Sequence, residues 1–74
     1  MTGEDIKKEI LETFSAVTFK YHGKNCGVDP FSMKSFCLWF GDEDKYTNSI
    51  EETMTVKFFD GKSLNEIAEI IEIN

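Results

Sequence analysis

Apolar side chains are most concentrated between Ser35 and Gly41, where they recur at every second position. Cys37 and Trp39 have one parity in this stretch, and three large hydrophobes have the other. The three hydrophobes are Phe36, Leu38 and Phe40. Successive side chains of a strand point to opposite faces, so the pattern predicts a strand with Trp39 on the face opposite the hydrophobes. Such a strand is covered on both sides or leaves an aromatic surface for a partner.

The N-terminal segment has helical periodicity. Thr2 is followed three residues later by Asp5, which resembles the start of a helix. Four apolar residues then fall on one side at helical spacing, namely Ile6, Ile10, Leu11 and Phe14. We predict a helix from about Gly3 to Phe14.

The period changes to two from Val17, which predicts a strand through Phe19 and Tyr21. Glycine supplies the positive φ of a tight hairpin, so we predict a two-residue turn at Gly23 and Lys24. That turn pairs His22 with Asn25, Tyr21 with Cys26, Lys20 with Gly27, and Phe19 with Val28. The apolar partners then share one face, and a slip of one residue would separate them.

Pro30 is predicted to end the second strand, because proline has no amide hydrogen to donate. Residues 29–32 have the composition of a type I turn. The third strand is the stretch ending at Gly41, and it is expected to pair with the second. Residues 41–45 are predicted to form an exposed acidic loop.

A capping-box spacing at residues 49–52 predicts a short helix from Ile50 to about Met54. The alternative is a fourth strand through Met54, Val56 and Phe58, which alternate with polar residues. We favour the short helix.

The last helix begins at Ser63, which forms a capping-box sequence with Glu66. Its apolar stripe comprises Leu64, Ile67, Ala68 and Ile71. Ile70 and Ile73 widen this stripe, so the helix buries more than one narrow face or shares the excess with a partner.

These elements predict one α+β domain over residues 1–74, in the order α-β-β-β-(short α)-α. It has a three-stranded antiparallel sheet with two amphipathic helices packed on one face. The order helix, three strands, helix resembles the double-stranded-RNA-binding domain. That family carries phosphate-binding lysines at the start of its last helix. The corresponding positions here hold Ser63, Asn65, Glu66 and Glu69.

Charge and cysteine content narrow the classes of function. Fourteen acidic against eight basic residues give a net charge of −6, which disfavours binding to nucleic acid and to anionic membranes. The two cysteines, Cys26 and Cys37, are too few for a disulfide scaffold, so we expect both to be reduced. No leader-like or membrane-spanning pattern is present in the sequence, so we expect a cytoplasmic protein.

Three motifs that suggest chemistry depart from their templates. Residues 61–63 resemble the end of a phosphate-binding loop, but Val56 stands where its first glycine belongs. A calcium loop starting at Asp42 would need glycine at Thr47. His22, Cys26 and Cys37 match no zinc spacing. We therefore expect no catalytic, cofactor or metal site, and no enzyme.

The expected function is a small non-catalytic protein-binding or adaptor module. The candidate binding residues are Trp39 with Lys20 and His22 on one sheet face, and Ile70 with Ile73 on the last helix. In the alternative, residues 46–59 fold back and cover Trp39, so that it is not available to a partner. The alternative function is an acidic mimic of nucleic acid that inhibits a nucleic-acid-binding protein. Either a monomer or a homodimer fits the sequence.

Overall fold

The chain folds as an antiparallel sheet with helices packed on one side, and this α+β architecture agrees with the sequence. The computed structural model describes residues 1–73. Within that range the helices are α1 (Gly3–Thr13), α2 (Ile50–Thr55) and α3 (Leu64–Ile67). The strands are β1 (Val17–Tyr21), β2 (Lys24–Ser32), β3 (Ser35–Phe40) and β4 (Glu43–Thr47).

The strands lie in the order β1-β2-β3-β4, and each neighbouring pair is antiparallel. The predicted turn between β1 and β2 was one residue too late. His22 and Gly23 form it, with φ of 52° and 74°, because a type I′ turn needs two central residues of positive φ. Phe19 therefore pairs with Cys26 and not with Val28. The register moves by two residues, so the paired side chains of both strands keep their predicted faces, whereas His22 leaves the strand for the turn.

Pro30 does not end β2, which continues to Ser32 through an irregularity after the proline. The Gly41 amide donates to the Asn25 carbonyl, so odd-numbered residues of β2 turn their backbone groups toward β3. Pro30 therefore faces the β1 side, beyond the point where Val17 of β1 pairs with Val28. Its missing amide hydrogen therefore interrupts no pairing there. The predicted type I turn at residues 29–32 is wrong, because these residues lie in β2.

The prediction of three strands was wrong, because part of the predicted acidic loop is the edge strand β4. Gly41, with φ of 61°, opens the turn that sends the chain back along β3. In β4 only Thr47 is buried, so the strand lacks the apolar alternation that identifies a half-buried strand. Charged residues on a short edge strand also discourage pairing with other chains.

All three helices contribute to one core on one face of the sheet, which we call the covered face. The side chains of Phe36, Leu38 and Phe59 in this core have no solvent exposure. Phe59 follows α2, and its ring centroid lies 5.6 Å from that of Phe19 and 6.2 Å from that of Phe40. Packing of this kind fixes the position of the segment between α2 and α3.

The predicted starts of the helices are confirmed. Thr2 and Asp5 form a reciprocal capping box on α1, which ends where Phe14 takes a left-handed φ of 47°. The short helix α2 forms in preference to the alternative strand, with Ser49 as its N-cap. Its Thr53 hydroxyl donates to the Ser49 carbonyl at 2.8 Å and accepts from the buried Thr47 hydroxyl at 2.6 Å, which attaches α2 to β4.

The last helix is shorter than the apolar stripe suggested. Ser63 and Glu66 form the predicted capping box, but α3 ends at Ile67. The chain then turns, and Ile73 forms an antiparallel bridge with Phe19 on the outer edge of β1. The apolar stripe is therefore divided between a short helix and an extended segment.

Candidate protein-binding face

The sheet face opposite the helices is the candidate site, and we call it the open face. The strand register places the side chains of Trp39 and Asp44 in one row across it, and those of Asp29, Cys37 and Tyr46 in the next. The open face comprises Thr18, Lys20, Asn25, Gly27, Asp29, Phe31, Cys37, Trp39, Asp44 and Tyr46. None of these residues belongs to the core cluster under the helices.

Trp39 is half-buried because its indole lies across Gly27, its direct cross-strand partner. A Cβ atom at Gly27 would overlap Trp39 Cζ2 and Cη2, and would lie 2.6 Å from the Val17 carbonyl oxygen. Aromatic side chains cover glycine in this way across neighbouring strands. One side of the indole therefore lies against the backbone of β2.

Phe31 and Tyr46 form an exposed aromatic pair on the same face. Their ring centroids are 6.0 Å apart, and the residues are 54% and 62% exposed. Aromatic rings at this separation stabilise each other by about 0.5–1.5 kcal/mol when buried, and less in water. Most of their apolar surface remains available for contact.

Cys37 lies between the strands that carry Asp29 and Tyr46. Partial burial raises the pKa of its thiol, and the nearby carboxylates of Asp44 and Asp29 raise it further. The Cys37 side chain in turn raises the pKa of the Tyr46 phenol. Both carboxylates therefore act on the centre of the open face.

Two of the predicted sheet-face residues lie where the sequence placed them. Trp39 and Lys20 are on the open face. Lys20 pairs with Asn25, in a different row from the carboxylates of Asp29 and Asp44. The predicted cover for Trp39 is wrong, because residues 50–59 pack on the opposite side. Tyr46 lies beside Trp39 on the open face and is itself exposed.

His22 does not share the open face with Trp39, contrary to the prediction. It lies in the β1–β2 turn, where its ring stacks on Tyr21 with a centroid distance of 3.9 Å. Its Nδ1 is 2.9 Å from a carboxylate oxygen of Asp60, which also has a positive φ, of 56°. This contact joins the turn to the segment before α3, at one end of the covered face.

The two isoleucines proposed as a binding edge have separate environments. Ile70 is 71% exposed in the turn after α3, whereas Ile73 is half-buried and bridges β1. Ile73 therefore has a partner within the chain, whereas Ile70 is exposed to solvent. Single exposed apolar residues are common on protein surfaces.

Sequence reasoning missed four open-face residues that surround Trp39 and Cys37. The sequence predicts Phe31 and Asp29 in a turn and Asp44 in an acidic loop. It places Tyr46 in the segment 46–59 that would fold back over Trp39, and not in a strand of the sheet. The signal that could have found Tyr46 was the pair Tyr46-Thr47, two good strand formers after a glycine turn. With β4 recognised, the register follows from β3 and brings both carboxylates to this face.

The described part of the chain encloses no pocket. Within residues 1–73, no group of three His, Cys, Asp or Glu side chains is placed to hold a metal ion. None of the described helices has the length and apolar content to cross a membrane. Comparison of the chain with protein-family models, curated proteins and solved structures finds no match.

Proposed function

We propose that this protein is a non-catalytic protein-binding module that uses the open face. The observation that carries this proposal is the uneven covering of the sheet. The helices pack on one face alone, while the other displays the exposed rings of Phe31 and Tyr46 and the half-buried Trp39. Grouped apolar side chains of this kind mark interaction surfaces.

The contact of Trp39 with Gly27 supports the same proposal. Binding requires interface side chains to be immobilised, which opposes association by about 0.5–1.5 kcal/mol for each mobile side chain. The contact with Gly27 limits the space open to the indole on one side, so a partner would have less side-chain freedom to remove there. Tryptophan and tyrosine are also enriched among the residues that dominate binding energy.

The titration behaviour of the thiols favours binding over catalysis. A catalytic cysteine needs a depressed pKa, because the thiolate is the nucleophile. The pKa of Cys37 is raised by burial and by Asp44, and that of Cys26 is raised by burial. Both thiols are free, which also fits the reducing cytoplasm that we propose as its location.

The test is affinity capture from native cells with the wild-type protein and two matched variants. Tyr46→Ser removes an exposed ring from the open face, and Ile70→Ser removes an exposed hydrophobe from the helical side. We expect a partner that is retained by wild type and Ile70→Ser and lost from Tyr46→Ser. Circular dichroism establishes that both variants fold.

Loss of the partner from Ile70→Ser alone would assign binding to the helical side and would contradict the proposal. Light scattering on the wild type and on Tyr46→Ser tests the case of a homodimer. A wild-type dimer that becomes a monomer in Tyr46→Ser would identify a second copy as the occupant of the open face.

A further inference from the structure

Resting on the function proposed above, we propose that the partner of the open face is a protein segment bearing arginine or lysine. Its cation would lie against the open-face aromatic rings, between the carboxylates of Asp29 and Asp44. The proposal rests on where these carboxylates lie relative to the rings.

The two carboxylates lie close to the centre of the open face. Asp29 is the direct partner of Cys37 on β3, and Asp44 is the direct partner of Trp39. Both carboxylates raise the pKa of the Cys37 thiol, so their negative potential extends over the centre of the face. A cation that neutralises this potential would also contact the neighbouring rings.

The exposed rings suit the same cation. A guanidinium or ammonium group within about 6 Å of an aromatic centroid is attracted by about 0.5–1 kcal/mol at exposed sites. The protein already contains one such pair, with Lys24 Nζ 4.9 Å from the Phe40 centroid. Phe31, Tyr46 and the solvent-facing side of Trp39 offer comparable rings beside carboxylates.

Charge argues against other occupants. A second copy whose two-fold axis passes between Asp29 and Asp44 would place these carboxylates near the same pair on its partner, between molecules that each carry a net charge of −6. A nucleic acid would bring phosphates to these carboxylates. Lys20 supplies the positive charge of the open face, from the row that it shares with Asn25.

The experiment uses Trp39, the protein's single tryptophan, as a fluorescent reporter at the site itself. The probe is a short peptide of alternating arginine and glycine. Two matched peptides replace arginine by its neutral isostere citrulline, or by glutamate. We expect saturable change in Trp39 emission with the arginine peptide alone, weakening as salt is raised.

Charge-neutral variants then separate a local site from diffuse attraction. Asp29→Asn with Asp44→Asn is expected to weaken binding of the arginine peptide about fivefold to tenfold, from two ion pairs near the surface. Glu9→Gln with Glu69→Gln removes the same charge from exposed positions outside the open face. This control is expected to weaken binding less than about twofold. Thermal melts establish that both double variants are folded.

Three results would overturn the inference. Equal loss in the two double variants would show diffuse attraction, as an acidic mimic of nucleic acid would produce. Equal binding of the citrulline peptide, or no response to the arginine peptide, would show that the cation does not matter. A response to a thymidine oligonucleotide in place of the peptide would identify nucleic acid as the occupant. In each case the capture test with Tyr46→Ser still decides separately whether the open face binds protein.

Discussion

The two faces of the sheet are built from the same strands but are maintained by different forces. On the covered face, Phe36 and Leu38 have no solvent exposure and pack beneath helices. On the open face, Tyr46 is 62% exposed, and Trp39 is held by its contact with Gly27. Burial of apolar surface stabilises the first face. The second face is ordered by contact with the backbone of the sheet itself, so its exposed side chains contribute less to the stability of the fold.

The largest expected difference is between truncations on the two faces. Phe36→Ala should reduce the free energy of unfolding by about 3–5 kcal/mol, because it leaves a cavity in the core. Tyr46→Ala should reduce it by less than about 1 kcal/mol, since its ring is mostly in water. Urea unfolding followed by circular dichroism measures both. Phe36→Leu provides a milder core variant, and equal effects of Phe36→Ala and Tyr46→Ala would remove the distinction between the faces.

Adding a methyl group at Gly27 tests what holds the open face in order. Gly27→Ala should destabilise the protein by about 1–3 kcal/mol, because the methyl overlaps the indole and the Val17 carbonyl. The displaced Trp39 should emit at longer wavelength as its ring enters water. In the control Gly23→Ala the methyl meets open space, and a φ of 74° causes strain of about 1–2 kcal/mol. A Trp39 emission shift in Gly23→Ala, or none in Gly27→Ala, would contradict this account.

Acid should destabilise the helical side of the protein by protonating Glu66. Its hydrogen bonds from Lys57 Nζ at 2.6 Å and from the Ser63 amide at 2.9 Å lower its pKa from 4.5 to about 2. A carboxyl whose pKa is lower in the folded state stabilises the fold above the unfolded pKa, and loses that effect as pH falls toward the folded one. The melting temperature of Glu66→Gln should therefore lie below wild type at pH 7, and the gap should close between about pH 4.5 and 2.

A gap that stays constant over this pH range would show that the loss in Glu66→Gln comes from packing. Glu69→Gln removes the same charge from an exposed position after α3 and serves as the control.

The smallest expected effect is a difference in thiol reactivity between the two faces, each of which carries one cysteine. Cys26 is 1% exposed on the covered face and should react with iodoacetamide only when the protein unfolds. Cys37 should react in the folded protein, but more slowly than a free thiol at pH 8, because its raised pKa leaves less thiolate. Asp44→Asn should accelerate it by lowering that pKa. Mass spectrometry of the labelled protein measures both rates, and faster labelling of Cys26 than of Cys37 would reverse the assignment of the faces.

Much of the fold follows from local patterns in the sequence. The capping boxes at Thr2 and Ser63 and the parity of β3 were read correctly, because each depends on neighbouring residues. β4 was missed because an edge strand need not alternate in hydrophobicity. The predicted end of β2 at Pro30 was wrong because the effect of a proline depends on which neighbouring strand its backbone faces. These features depend on neighbours that are distant in sequence.

The candidate site was predictable only in its centre. The parity of β3 identified Trp39, but its carboxylate neighbours are Asp29, in the part of β2 that was predicted to be a turn, and Asp44, on the unrecognised β4. His22 was misplaced because the turn was set one residue late. A strand position has a fixed direction, whereas a turn residue with positive φ does not follow the strand's alternation.

The bridge between Ile73 and Phe19 makes the two edges of the sheet unequal. The outer edge of β4 has no strand beside it in residues 1–73, whereas Ile73 bridges the outer edge of β1 at Phe19. A fibre of stacked sheets requires each molecule to join a neighbour at both edges. A molecule with one usable edge can add one neighbour and no more, so edge-to-edge growth would end at a closed pair. The bridge at Ile73 therefore obstructs one of the two edges that growth of a fibre would require, and the charges of β4 disfavour the other.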